Sequence, residues 1–299
     1  MRSRRMTQLA AAVAANPWVP YFISRRIYQG PTKGICFPGL NCRSCPLAIF
    51  TCPIGALQHS LVARSYQALA YVLGTLAAIG ALAGRLPCGW ICPFGLLQDL
   101  LYKIPLPKLR IPRWATFFKY GTLGILALAL PFFLRAEWFS RLCPAGTLEA
   151  GLPMYAFPPA NTSLEPNHFF WLKVSVLAVF LLWMMVSKRP FCRTACPLGA
   201  IWSLFNPVSL YRMEVDHDLC NHCRKCRKVC PVDINIFDNP NSPECIRCLE
   251  CKKACPRGAV SSGFRSFNPE TGPVRKKASL LTGGDSEQSS HQTPGEPGA

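Results

Sequence analysis

The 299-residue sequence has no phosphate-binding loop, no dinucleotide fingerprint, no hydrolase triad pattern and no CxxCH haem-attachment site. Nothing in it therefore supports nucleotide-driven, nicotinamide-dependent, hydrolytic or c-type haem chemistry. Acidic side chains are scarce too: 15 Asp and Glu stand against 33 Lys and Arg, a net charge of +18. Such a surplus can serve nucleic acid, but the basic residues lie beside apolar runs or among cysteines. Flanking a membrane explains them better, and no nucleic-acid partner is expected. What the chain has in excess is cysteine, 17 residues, and apolar side chains, which make up half of it.

Eight of the cysteines form a doublet, CNHCRKCRKVCP from Cys220 and CIRCLECKKACP from Cys245. Each half reads CxxCxxCxxxCP. Three closely spaced thiolates wrap one [4Fe–4S] cluster, and the fourth crosses to the other cluster. Cys220, Cys223, Cys226 and Cys255 are thus assigned to one cluster, and Cys245, Cys248, Cys251 and Cys230 to the second. Paired zinc knuckles are the competing reading, but zinc sites use pairs of CxxC and have no reason for a third cysteine followed by CxxxCP.

Three apolar runs, 66–84, 115–134 and 169–187, approach the roughly 20 residues that cross a bilayer. Lys119 and Lys173 fall near span ends, where a long side chain can snorkel to the interface. A fourth candidate, 6–23, contains Pro17 and Pro20 and opens like a twin-arginine or secretory signal. No convincing cleavage site precedes Asn16–Pro17, so an uncleaved first helix is expected. Segment 188–277 holds sixteen Lys and Arg and loop 85–114 five, whereas 135–168 holds only Arg135 and Arg141. The positive-inside rule then puts the first two in the cytoplasm and the third outside. Parity puts 24–65 outside as well, although it carries Arg25, Arg26, Lys33, Arg43 and Arg64. Re-entry into the membrane or packing on other segments would reconcile the two.

A second repeat is built on Cys-Pro: TCPIGALQ ends at Gln58, ICPFGLLQ at Gln98, LCPAGTLE at Glu149 and ACPLGAIW at Trp202. Proline suits the first helical position, where its missing N–H has no partner to lose. The preceding cysteine then caps a helix, with its sulfur near free N–H groups and the positive end of the dipole, a setting that stabilises thiolates and anionic clusters. CGWIC (Cys88, Cys92) and CRTAC (Cys192, Cys196) both follow an apolar span and fall on the inner side. They offer four thiolates for one more cluster or a comparable metal site, or are redox-active or structural thiols. Cys36, Cys42, Cys45, Cys52 and Cys143 form an outer group for a further cluster, or for disulfides in an oxidising exterior. With roughly 30 Å of hydrocarbon to cross, the two groups would serve as separate relay stations.

CGWICPFGLLQDLLYKIPLPK and KRPFCRTACPLGAIWSLFN, with spans before them and the cysteine doublet after, resemble the NapH/NosR-type polyferredoxin membrane proteins over residues 60–260. The resemblance implies a quinol dehydrogenase subunit of a periplasmic reductase system, or a membrane electron donor for reductase maturation. It carries the cytoplasmic CxxxCP roles onto Cys88, Cys92, Cys192 and Cys196, and the cluster-ligand roles onto the eight C-terminal cysteines. A large flavin-binding domain of the NosR type is not in the sequence, and the cysteines at 36–52 and 143 are not part of the NapH pattern.

The expected protein is mainly α. It has a polytopic helical membrane domain of about four helices and a C-terminal α+β two-cluster ferredoxin domain. The divisions are 1–65 (N-terminal helix and outer or re-entrant Cys-rich segment), 66–210 (membrane domain), 211–261 (ferredoxin domain) and 262–299 (disordered tail). It would be a multi-pass protein of the inner cell membrane, passing electrons between the quinone pool or a cytoplasmic donor and a redox partner protein. The alternative is an iron–sulfur assembly, maturation or redox-sensing protein for another complex. Expected cofactors are two [4Fe–4S] clusters, with one or two further clusters and a quinone as candidates. No catalytic side chain is assigned. Asp99, Glu137, Glu149, Glu165, His59 and His168 are the ionisable groups available to a quinol proton path, or else are solvated interfacial side chains.

Overall fold

The computed structural model describes residues 2–160 and 167–264; Glu165 and the tail from 265 onward lie outside the described residues. In chain order the main elements are α1 (Arg2–Ala15), α2 (Pro53–Val62), α3 (Tyr66–Ala83), α4 (Pro93–Leu101) and α5 (Trp114–Leu134). A helical run then passes through Pro144–Gly146, a π segment Thr147–Gly151 and Leu152–Ala156 (α6). After it come α7 (His168–Val186), α8 (Pro197–Phe205), strand β1 (Tyr211–Val215), α9 (Lys225–Val229), α10 (Glu250–Ala254) and strand β2 (Val260–Phe264).

Among the described residues three helices, α3, α5 and α7, are long and apolar enough to cross a membrane. Their starts and stops follow local chemistry. Ser65 caps α3 by accepting from the Ala68 N–H (3.4 Å), and Asn167 caps α7 by accepting from Phe170 (2.9 Å). Gly84 ends α3 with φ +52°, where a β-carbon would lie 2.3 Å from the Asn206 side chain, so only glycine fits. Leu73, Leu82, Ile125, Phe133, Val179 and Leu182 stay exposed, as lipid-facing positions would.

The expected fourth span is not among the helices long and apolar enough to cross a membrane. The helix over that region is α1, only fourteen residues long, and the chain leaves it at Ala15 ahead of Asn16–Pro17. Its inward side is polar: Arg4 and Gln8 are fully buried and donate to the carbonyls of Gly89 (3.4 Å) and Cys92 (3.2 Å). On its other side Met6, Leu9 and Val13 are exposed. By length and composition there are three candidate spans among the described residues where about four were expected. The snorkelling expected of Lys119 also fails, because its side chain is buried in an ion pair with Glu244.

Between the spans lie half-helices. α2 folds back on α3 through the turn at 63–65, whereas α8 runs alongside α3 in the same direction. Trp202 donates to the Leu76 carbonyl (3.3 Å), and Phe205 packs where a Gly80 β-carbon would stand 2.7 Å away. With ten and nine residues against the eighteen of α3, α2 and α8 reach its middle from opposite ends. Each is about 15 Å long, half of a hydrocarbon layer. Their N-termini meet in the interior of the fold.

The C-terminal module is closed by β1 and β2, which pair antiparallel from Tyr211↔Phe264 to Val215↔Val260. The ladder thus extends past residue 261, where the tail was expected to begin. The two cysteine motifs repeat in the backbone: His222 and Arg224 in the first, Arg247 and Leu249 in the second, all adopt left-handed φ at matching offsets. The module is pressed onto the CGWIC loop. Trp90 donates to the Arg247 carbonyl (3.0 Å), and a β-carbon on Gly89 would lie 2.4 Å from the Ile246 carbonyl oxygen. Gly89→Ala should therefore push the module off this loop. The expected result is faster proteolysis within 211–264 with helix content unchanged by circular dichroism. Unaltered protection would mean that docking does not depend on this contact.

Candidate metal centres

All seventeen cysteines are free thiols. In the C-terminal module Cys220, Cys223, Cys226 and Cys255 line one cavity of 360 Å³. Cys230 stands instead with Cys245, Cys248 and Cys251, close enough for their charges to interact. Burial pushes the Cys245 thiol up to about 12 and Cys248 up to about 11. A ligating thiol must lose its proton, so loading this set is coupled to proton release.

The two CxxxCP loops bring Cys88, Cys92, Cys192 and Cys196 together. Cys92 and Cys196 cap α4 and α8 in extended conformation with proline next, as the repeat suggested. The Gly199 N–H reaches Cys196 Sγ at 3.4 Å, and Gln98 Nε2 donates to Cys192 Sγ at 2.9 Å. Two buried guanidiniums frame the set. Arg85 donates to the Cys192 carbonyl (2.9 Å), and Arg189 donates to that of Cys88 (2.9 Å). Burial pushes the Cys88, Cys92 and Cys196 thiols up, more than Arg85 and Arg189 beside Cys88 can offset. The positive charge in place is suited to an anionic occupant.

The third set collects around α2 and α6. Cys42, Cys52 and Cys143 line a chamber of 460 Å³, Cys36 lies beside Cys52, and Cys45 lies beside Cys42. Cys52 and Cys143 cap their helices before proline. This set is not remote from the CxxxCP set: Cys36, Cys52 and Cys143 share one continuous buried core with Cys88, Cys92, Cys196 and Cys248. The expectation of stations separated by the thickness of the membrane gives way to adjacent ones, because α2 and α6 carry their first turns inward to meet α4 and α8.

Reasoning from sequence missed what the seventh residue of each Cys-Pro repeat does. Gln58 accepts from Ser140 N (3.0 Å) and donates to the Leu126 carbonyl (2.9 Å); Gln98 reaches Cys192 Sγ. Glu149 accepts from the Cys42 amide (2.7 Å), and Trp202 donates to Leu76. Every copy uses a polar group to tie its half-helix to a neighbouring element, and the signal was visible as a polar or indole side chain recurring in apolar stretches. The proposed proton-path groups divide. Asp99 is locked between Arg189 (2.6 and 2.7 Å) and Arg4 (2.8 Å); burial alone would raise its carboxyl, but the two guanidiniums hold it below the usual range. Glu149 is buried and pushed up to about 8. His59 and Glu137 form a half-exposed pair at 3.0 Å, and His168 opens α7.

Among the described residues no three His, Cys, Asp or Glu side chains converge closely enough to hold a single metal ion. The donor sets fit iron–sulfur clusters: each is all-thiol, stands around a volume instead of a point, and faces amide donors or buried cations. A 4Fe-4S binding domain model matches residues 67–112 and 167–209, which contain both CxxxCP elements, and a second 4Fe-4S binding domain model matches 213–234. An uncharacterized protein of Methanocaldococcus jannaschii is 29% identical over 215 residues, 68% of this chain and 74% of the relative. The methylamine utilization ferredoxin-type protein MauN of Methylobacillus flagellatus is 25% identical over 76% of this chain and 81% of its own length. The ferredoxin-type protein NapH of Haemophilus influenzae is 25% identical over 76% and 73%. No solved structure matches the chain.

Asp99 offers a direct test of how dry this region is. Asp99→Ala leaves Arg4 and Arg189 buried without their counter-charge and should cost about 3–5 kcal/mol, read as loss of folded protein in detergent at temperatures that wild type survives. A cost below about 1 kcal/mol would show an ion pair open to solvent.

Proposed function

The chain belongs to the NapH/NosR-type polyferredoxin family, and from that membership we propose an integral membrane electron carrier linking the quinone pool, or a cytoplasmic donor, to a redox partner protein. The observation that carries this reading is continuity. The Ile246–Cys248 stretch of the C-terminal module lies directly on the CGWIC loop, so thiols assigned to the ferredoxin motifs and thiols of the membrane domain are packed as neighbours. Bound in these sets, [4Fe–4S] clusters supply one-electron carriage.

The chain's own residues do the rest. In this proposal Cys220, Cys223, Cys226 and Cys255 ligate one cluster, and Cys245, Cys248, Cys251 and Cys230 a second. Cys88, Cys92, Cys192 and Cys196 ligate a third inside the membrane domain. Arg85 and Arg189 place fixed positive charge beside that third set, which favours its reduced, more negative state. Two buried ionic latches hold the module in register. Arg85 and Lys119 grip Glu244, and Arg4 joins Asp99 of α4 to Glu250 of α10 at 3.7 Å. Lys188 adds a bond to the Cys230 carbonyl (2.8 Å). An exposed basic groove between Lys108, Arg110, Arg224 and Lys228 would steer an acidic donor towards the module.

Orientation follows from charge: the basic 188–277 and 85–114 segments face the cytoplasm, and 135–160 faces the opposite side. Reporters placed at Lys108, at Phe157 and after Ala299 should read inside, outside and inside. A reporter after Ala299 that is active only outside reverses the arrangement.

The cluster content is tested on anaerobically purified protein. Reduced samples are expected to show interacting S = 1/2 signals that weaken in Cys223→Ala or Cys248→Ala. Fewer than about eight irons per chain, the content of two cubes, with zinc in their place would sink the reading.

A further inference from the structure

We infer that Cys36, Cys42, Cys52 and Cys143 hold an additional iron–sulfur cluster of the [4Fe–4S] class, one peptide away from the CxxxCP set. None of these four residues falls in a segment that a 4Fe-4S domain model matches. The assignment of ligands stands on this chamber alone; its relation to the CxxxCP set rests on the proposed function.

The chamber is the first observation. Cys42, Cys52 and Cys143 line 460 Å³ of open volume, and Cys36, 7% exposed, adjoins Cys52 because residue 36 bridges to Thr51. The chamber opens to the surface beside the exposed Ser44, Arg135 and Arg141, a cleft with room for a cluster. Cys45 lies beside Cys42 but does not line the chamber, and its thiol is engaged elsewhere. Its Sγ is 3.6 Å from Asn16 Oδ1, to which it donates, and it packs with Ala48 and Ala150.

Asn41 is an independent pointer to an occupant. Its side chain is 1% exposed, lines the same chamber, and has no hydrogen-bond partner for either Oδ1 or Nδ2. Buried amides are rarely left so, since an unmade bond costs about 1–3 kcal/mol. An amide N–H directed at cluster sulfur would satisfy the donor side. Arg43, Arg135, Arg141 and Lys173 also line the chamber and would offset the charge of an anionic thiolate cluster.

The backbone then ties this set to the next. A β-carbon on Gly39 would lie 3.3 Å from Cys92 Cα, and the next backbone N–H groups, of Leu40 and Asn41, lie near the Cys92 and Cys52 thiols respectively. Two successive amides thus adjoin sulfurs of two different sets. The half-helices that approach from opposite faces bring their metal sites back to back, and the 24–65 segment is the spacer between them.

The test is made on full-length protein purified anaerobically, measuring iron, acid-labile sulfide, zinc and EPR. Cys42→Ser and Cys143→Ser should each lose about four of about sixteen irons with matching sulfide, while the ferredoxin signals persist. Cys45→Ser should keep the wild-type content. Unchanged iron in both ligand variants, iron loss in Cys45→Ser equal to that in Cys36→Ser, or zinc in place of the lost iron would each overturn the assignment. If a ligand variant fails to fold, Asn41→Leu removes the amide and no ligand. It should alter the EPR signature or midpoint potential of one cluster at constant iron, and identical spectra and potentials would overturn the inference. Wild-type protein with about twelve irons, the content of three cubes, and intact ferredoxin signals would defeat this proposal and leave the proposed function standing; loss of the ferredoxin signals themselves would defeat that reading instead.

Discussion

A helix that begins in a dry protein interior leaves its first N–H groups where no water can satisfy them. Four helices in this chain begin with Cys-Pro, which answers that difficulty twice. Proline removes one orphan donor, and the cysteine sulfur before it accepts from others, as Gly199 shows at Cys196. The same arrangement gathers anionic ligands at positive dipole ends. Stability of the interior and affinity for metal clusters therefore come from one local device, and the rest of the molecule is arranged around the point where its copies meet.

That point also explains the buried arginines. A guanidinium deep in a protein is costly unless it is paired and hydrogen-bonded, and Arg85, Arg189 and Arg4 each have both kinds of partner. Their partners belong to different parts of the chain: Asp99 on α4, Glu244 before Cys245 and Glu250 on α10. The ion pairs act as latches between the membrane domain and the C-terminal module. They also concentrate positive charge where thiolate ligands bring negative charge, so docking and cofactor electrostatics depend on the same side chains.

The basic 24–65 segment, expected by parity on the side that the positive-inside rule disfavours, makes sense in this frame. Arg43 lines the 460 Å³ chamber, and Lys33 donates to the Ala48 carbonyl at 3.3 Å. Part of the charge is thus spent inside the protein and does not report orientation. α1 is a similar case, since its Arg4 charge is the group that joins α4 to α10.

Spacing alone made much of this legible. Three apolar runs of membrane length, helix starts at Cys52, Cys92, Cys143 and Cys196, and the grouping of cysteines in the doublet depend on short-range chemistry: burial length, the missing proline N–H, and the reach of thiolates a few residues apart. What the sequence determined by itself is therefore the local parts list. Only the tertiary structure decided that Arg4 of α1 is buried against Asp99, that Lys119 turns inward to Glu244, that the seventh residue of each repeat ties elements together, and that Leu40 and Asn41 lie between Cys92 and Cys52. Those outcomes depend on partners tens to hundreds of residues away, because a charge or an amide in a dry interior settles wherever it finds its hydrogen bonds, and no local pattern records where that is.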